Sequence, residues 1–246
     1  MRIAFALVST LALAACGGGD DSLPVTSSTP VAPIAAPSGQ NWVEMTTKTA
    51  DGYLLGNPNA PIKLIEYGSR GCPTCGRFAA EGMEPLRTKY ISTGKVSYEY
   101  RDFLVHGAPD FALALLNQCV PTEAFFPVLD QMFANQEAFY NRTEQLQQTN
   151  PQILQQLQAL PAPQAAAGFA EALGHIEFMK QRGVPEAKAR QCLTDPKAIE
   201  AIAKVNADAV NVHQVGGTPT FFLNGKKLDA AAWSQVEPAL QAAGAR

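Results

Sequence analysis

Cys72-Pro73-Thr74-Cys75 stands on a seam between two periodicities, and that seam limits what this chain can fold into more than any other feature. Upstream, Ile62 to Tyr67 is a short apolar run between Gly56-Asn57-Pro58-Asn59-Ala60-Pro61 and Gly68-Ser69-Arg70-Gly71, the pattern of a buried strand between loops. Downstream, Cys75, Ala79, Met83, Leu86 and Tyr90 recur in steps of three and four, which predicts an amphipathic helix with Cys75 on its inner face and Cys72 at its start. Val96, Tyr98 and Tyr100 then alternate with Ser97, Glu99 and Arg101, so a second strand closes a strand–helix–strand unit with parallel neighbours.

Thr220-Phe221-Phe222-Leu223 runs into Asn224-Gly225 and Lys226-Lys227-Leu228, a strong short-range hairpin signal. Asp229 is the expected cap of a last helix bearing Trp233, Val236 and Leu240, with a kink expected at Pro238. Between the two halves, about 107–195, the chain is rich in Ala, Gln and Leu without a strand pattern. We read it as a helical insertion, broken at Val120-Pro121-Thr122, Thr149-Asn150-Pro151, Leu160-Pro161-Ala162-Pro163 and Gly183-Val184-Pro185. A further helix starts at Asp195-Pro196 and runs through Ile199, Ile202 and Val205 toward His213.

Arg2 followed by the apolar stretch Ile3 to Ala15 has the pattern of a signal peptide (1–15), too short to be a stable bilayer anchor. Its end, Leu13-Ala14-Ala15-Cys16, resembles the lipobox of bacterial lipoproteins, which implies lipid attachment at Cys16 and a location in the cell envelope, on the periplasmic side. Residues 16–45, dominated by Gly, Ser, Thr and Pro to about Gln40, are expected to be a flexible tether, and 46–246 the folded domain. The formal net charge of −3, with no basic run, gives no footing for nucleic acid. Export places the remaining cysteines, at 72, 75, 119 and 192, where disulfides persist, and four cysteines allow three pairings.

A thiolate at Cys72 is favoured by the unpaired N–H groups and dipole of the helix it begins. Cys75, facing inward, is placed to resolve a mixed disulfide formed at Cys72. Pro73 stiffens the helix start, and Thr74 adds a hydroxyl but no positive charge, so a less extreme oxidant is expected than with a histidine there. The same Cys spacing also serves zinc sites, which would need Cys119 or Cys192 beside the pair. None of His106, His175 and His213 has ligand spacing with the cysteines, so no metal is expected and each is read as a surface or satisfied core residue.

The motifs together resemble the DsbA-like branch of the thioredoxin superfamily over about Met45 to Ala243. The resemblance rests on Glu66-Tyr67 before Cys72, the Cys72–Cys75 motif, the helical insertion, and Gly217-Thr218-Pro219-Thr220-Phe221-Phe222. It implies an α/β thioredoxin fold with an inserted helical domain and a cis bond between Thr218 and Pro219 facing the redox pair. It also implies backbone free to hold a substrate chain, and a buried Glu66 that exchanges protons with Cys75. A structural disulfide between Cys119 and Cys192, as in alphaproteobacterial members, is a further implication. The implied activity is thiol–disulfide exchange, most simply oxidation, by a monomer acting on cysteine-containing exported proteins and recycled by a membrane redox partner. The dithiol is itself the redox centre, so no cofactor is needed. A reductase or isomerase would use the same residues, and a non-catalytic peptide-binding lipoprotein is the alternative from another class.

Overall fold

The computed structural model describes residues 26–246; the signal-peptide reading and Cys16 lie outside them. The apolar run before the motif is strand β3 (Ile62–Gly68), the motif opens helix α1 (Pro73–Pro85), and the alternating segment is strand β4 (Val96–Asp102). β3 and β4 pair in parallel, Leu64 opposite Tyr98. On the other side of β3 lies β5 (Thr220–Leu223), antiparallel with Leu64 opposite Leu223, and Asn224-Gly225 turns it into β6 (Lys226–Lys227). Two short strands missing from the sequence reading, β1 (Thr46–Lys48) and β2 (Tyr53–Gly56), complete the sheet, in the order β1-β2-β4-β3-β5-β6. β4 is therefore interior, and its polar members Ser97 and Glu99 are buried too; Glu99 accepts a hydrogen bond from Thr49 at 2.7 Å.

All four proline breaks fall between helices. The insertion comprises α2 (Ala108–Asn117), α3 (Phe125–Ala134), α4 (Gln136–Thr149), α5 (Pro151–Gln158), α6 (Ala162–Ala172), α7 (His175–Lys180) and α8 (Glu186–Leu193). The returning helix α9 (Pro196–Asn211) is capped by Asp195, whose carboxylate accepts from the Lys197 amide at 2.9 Å. Leu115, Leu116, Met132 and Met179 are among the buried residues that give the insertion its own apolar core, while Phe125 and Phe126 of α3 reach into the core under the sheet. Each such side chain contributes about 1.5–3 kcal/mol by leaving water.

Two expectations are corrected. Asp229 does not cap the last helix, α10 (Trp233–Leu240), whose N-cap is Ala232; the Gln235 side chain takes that role by accepting from the amides of Ala231 and Ala232 at 2.9 and 3.2 Å. Pro238 lies within α10, whose regular part ends two residues later. The expected tether, 16–45, is docked on the domain over its described part. Ser27 and Val31 donate backbone hydrogen bonds to Ala242 and Gly244 at 2.7 and 2.8 Å, and Ile34 donates to Thr93 at 2.8 Å. Trp42 is in the core, its indole donating to the Ile34 carbonyl at 2.8 Å. The physical reason is that one large aromatic and a few partly buried aliphatics, Val31 and Ala36 among them, suffice to pin an otherwise polar segment. Gly94, at φ +71°, makes room: a Cβ there would stand 2.3 Å from the Ile34 carbonyl oxygen.

Candidate active site

Cys72 is the N-cap of α1. Its Sγ accepts from the Cys75 amide at 3.4 Å and, as a thiol, donates to the Thr218 carbonyl at 3.2 Å. Both cysteines are free and buried. The hydrogen bond from the Cys75 side chain holds the Cys72 thiol down to about 5, against desolvation, with further help from the Thr218 side chain and the amides of Cys75 and Thr74. Cys75 moves the opposite way: burial first, then its hydrogen bond to Cys72 and the charge of Glu66, push its thiol far above the ordinary range. The pair is thus one easy thiolate and one persistent thiol.

Glu66, on β3, is buried at 1 % exposure, accepting from the Tyr98 hydroxyl at 2.6 Å through Oε2, while Oε1 has no partner. Burial raises its carboxyl to about 8, with the Tyr98 hydrogen bond opposing and the Cys72 charge adding. The Thr218–Pro219 peptide bond is cis, and this loop faces Cys72. The chain therefore brings Cys72, Cys75 and Thr218 into contact, with Glu66 buried close enough for its charge to act on both sulfurs.

The sequence reading missed the residues that hold the redox loop. Arg70 is fully buried, pairs with Asp102 at the end of β4, and donates to the Asn117 side chain at 3.1 and 3.0 Å. Asp110, buried in the first turn of α2, accepts from the Ser69 hydroxyl at 2.6 Å and from the Gly71 amide at 2.8 Å. From α4, Gln136 donates to the carbonyls of Arg70 and Cys72 at 2.7 and 2.9 Å, and Tyr140 donates to that of Gly71. Gly76 is open for the Gln136 amide: a Cβ there would lie 2.1 Å from its Oε1. A buried charge is seldom tolerated without a partner, so an arginine beside an otherwise apolar motif was the one sequence signal available.

Cys119 and Cys192 form a disulfide between the end of α2 and α8. That pairing leaves neither as a free thiol, and it removes the third ligand that a zinc site at Cys72 and Cys75 would have needed. His106 is exposed beside Gly71, and His213 packs against Tyr67 and Phe222 with ring centroids 5.9 and 6.0 Å apart. His175 departs from the expectation of a surface or satisfied residue: it is buried at 1 % exposure and neither ring nitrogen has a hydrogen-bond partner.

Comparison with known proteins matches the same regions. Residues 48–242 fit the family model described as Thioredoxin. The chain is 26% identical over 187 residues to a Rickettsia felis protein named as a protein-disulfide oxidoreductase, covering 74% of this chain and 57% of that protein. It spans 57% to 64% of the length of such rickettsial relatives. Among solved structures, a protein-disulfide isomerase from Novosphingobium aromaticivorans is similar at 28% identity and a TM-score of 0.73, covering 79% of this chain and 98% of that one. Wolbachia pipientis alpha-DsbA1 shares the fold at a TM-score of 0.58 and 23% identity, covering 78% and 90% of the two chains. With its strand–helix–strand core, its hairpin and its last helix, the chain belongs to the thioredoxin family, and its fold, inserted helical region included, is like that of Wolbachia alpha-DsbA1.

Proposed function

We propose that the protein is a thiol:disulfide oxidoreductase that oxidises cysteine pairs in exported proteins. The observation that carries this reading is the asymmetry of the pair, Cys72 lowered to about 5 at the helix start and Cys75 raised beneath it. A substrate thiolate attacks Cys72 Sγ of the oxidised protein; the S–S bond breaks and Cys75 leaves with the electron pair. Cys75 then takes up a proton, for which Glu66, raised to about 8, is the nearby acid. A second substrate thiolate attacks the substrate sulfur of the mixed disulfide and expels Cys72, a good leaving group because its thiolate is stable. Two electrons pass from the substrate dithiol to the protein, and a membrane redox partner takes them on.

Thr218 and Pro219 shape the groove in which the substrate chain lies beside Cys72, and its backbone can add there as a strand. The protein works outside the cytoplasm, in the cell envelope, held to a membrane through lipid on Cys16. Titration against glutathione, with mass-tagging of each cysteine, tests the direction of flow. The expected potential lies between about −200 and −120 mV, and one near about −270 mV would overturn the oxidase reading in favour of a reductase. The Novosphingobium neighbour named as an isomerase favours isomerisation as a second reading. Repair of a protein with scrambled disulfides by the reduced form, at catalytic amounts, would select it.

A further inference from the structure

A cavity of about 150 Å³ adjoins the redox loop on the side of the insertion. Its walls are largely apolar, from Pro109 and Leu113 of α2, Phe139 of α4, and Leu173. Its boundary with the redox loop is Gly71 and Gln136, and Gln136 is the side chain that donates to the Cys72 carbonyl at 2.9 Å. His175 completes the lining. Its ring meets Phe139 edge-on at 4.9 Å, and both of its nitrogens lack partners. Burial, aided by the Arg142 charge, lowers this histidine to about 3, so it is a neutral imidazole with one donor and one acceptor to offer. Both nitrogens lie just under the cavity wall with almost no exposed surface, so an occupant pairs one of them only as the ring turns about its Cβ–Cγ bond. Buried polar groups are nearly always paired in folded proteins, and one left unpaired beside a cavity points to an occupant that pairs it.

We propose that this cavity is a side-chain subsite for a tyrosine of the polypeptide substrate, with His175 the hydrogen-bond partner of the phenol. The inference rests on the exchange reading above and names the substrate feature that reading lacks. The size fits, because an apolar cavity of about this volume holds one benzene ring. An aliphatic side chain would fill the space and leave the imidazole open. A lysine or a carboxylate would lose its water against largely apolar walls, and Asp110, which also lines the cavity, already accepts from the Ser69 hydroxyl and the amides of Gly71 and His106. None of the lining comes from the Thr218–Pro219 loop, so a substrate chain can lie along that loop and still place a nearby residue in the cavity.

Two measurements on the same protein test this. The first is saturable binding of p-cresol and toluene, followed by NMR shifts, to wild type, His175→Leu and Thr143→Phe. Cresol is expected to bind about fivefold more tightly than toluene, the ratio for one neutral hydrogen bond. His175→Leu, which removes two unpaired polar atoms and leaves an apolar residue, folds at least as well and brings that ratio to about one. Thr143→Phe, on a half-buried position of the lining, abolishes binding of both. No saturable cresol binding, or equal binding of the two by wild type, overturns the proposal.

The second measurement is the rate at which the oxidised protein reacts with short cysteine peptides carrying one tyrosine, or phenylalanine, at successive positions on either side of the cysteine. About fivefold faster exchange at one tyrosine position, lost in His175→Leu, supports the subsite. Exchange with every peptide alike overturns the subsite and leaves the oxidoreductase standing. Exchange with none, beside His175-dependent cresol binding, overturns the oxidoreductase reading and with it the assignment of the phenol to a substrate.

Discussion

Raising the pH through the neutral range tests the asymmetry of the redox pair through its proton count. With Cys72 at about 5, the reduced protein holds that sulfur as thiolate in about 99 % of molecules at pH 7, against about 1 % for a thiol at the ordinary 9.0. Cys75 is pushed far up and keeps its proton. Reduction therefore takes up two electrons and one proton at the sulfurs, plus the fraction of a proton that the new Cys72 charge draws onto Glu66, and the potential of the couple falls by about 30 mV per pH unit near pH 6 and somewhat more toward pH 8, against about 59 mV when both sulfurs are protonated. Equilibration with glutathione at a series of pH values, followed by acid quench and mass-tagging, reads the slope directly. A fall of about 59 mV per unit across that range would refute the assignment of Cys72 as the stabilised thiolate.

The same shift governs reactivity. The thiolate fraction gained at pH 7, about 100-fold, is largely offset because intrinsic nucleophilicity falls with pKa, by about 40- to 100-fold over four units. Cys72 should then react with iodoacetamide at pH 7 about as fast as an ordinary thiol, but with a rate that is flat above pH 6 rather than rising tenfold per unit. Stability carries the matching sign. Cys72 is depressed on folding, so its contribution to the reduced protein is full above pH 9 and lost as pH falls through 5. Glu66 is raised, so its contribution is present below 4.5 and lost as pH rises through 8. Between pH 5 and 8 the two slopes oppose in the reduced protein, whereas the oxidised protein, with no Cys72 thiolate, loses stability across that window. Urea denaturation of both forms measures the divergence.

Replacing Cys119 and Cys192 together with alanine opens a link between residues 73 apart, and the stability measured in urea should fall by about 4 kcal/mol; a loss below about 1 kcal/mol would refute the loop-entropy argument. Arg70→Ala leaves Asp102 buried without its partner and should cost about 3–5 kcal/mol, and Arg70→Met with Asp102→Leu should recover most of it, since two apolar groups leave no charge unpaired. Glu66→Gln removes the acid under the pair and should slow the step that releases Cys75 by at least about tenfold at pH 7, seen by stopped-flow mixing with a dithiol peptide. An unchanged rate would remove Glu66 from the proton path.

What the sequence shows of this protein follows the range over which its signals act. The β3–α1–β4 unit, the Asn224-Gly225 hairpin and the proline-delimited helices are local patterns, and each lies where periodicity and turn chemistry place it. β1 and β2 escape because strands of three and four residues are too short to show a period. The loop-holding network escapes for a different reason. Arg70 finds Asp102 and Asn117 at separations of 32 and 47 residues, and Gln136 reaches Cys72 across 64. Partnerships of that kind are created by the fold and leave no spacing in the chain. Trp42 shows the converse error, in which composition averaged over a polar segment hid the one side chain able to anchor it.

The docking of that segment changes the reach that the proposed lipid anchor would give the folded part. A chain held by lipid at Cys16 and free as far as residue 45 could place its folded part roughly 100 Å from the bilayer, at about 3.5 Å per residue. With Ser27 already bonded to Ala242, only about ten residues remain ahead of the domain, for a span of roughly 35 Å, close to the width of a small domain. Such a protein would work in a thin layer against the membrane. On the function proposed above, it would meet chains as they emerge at the membrane, and substrates that have diffused away would lie beyond its range.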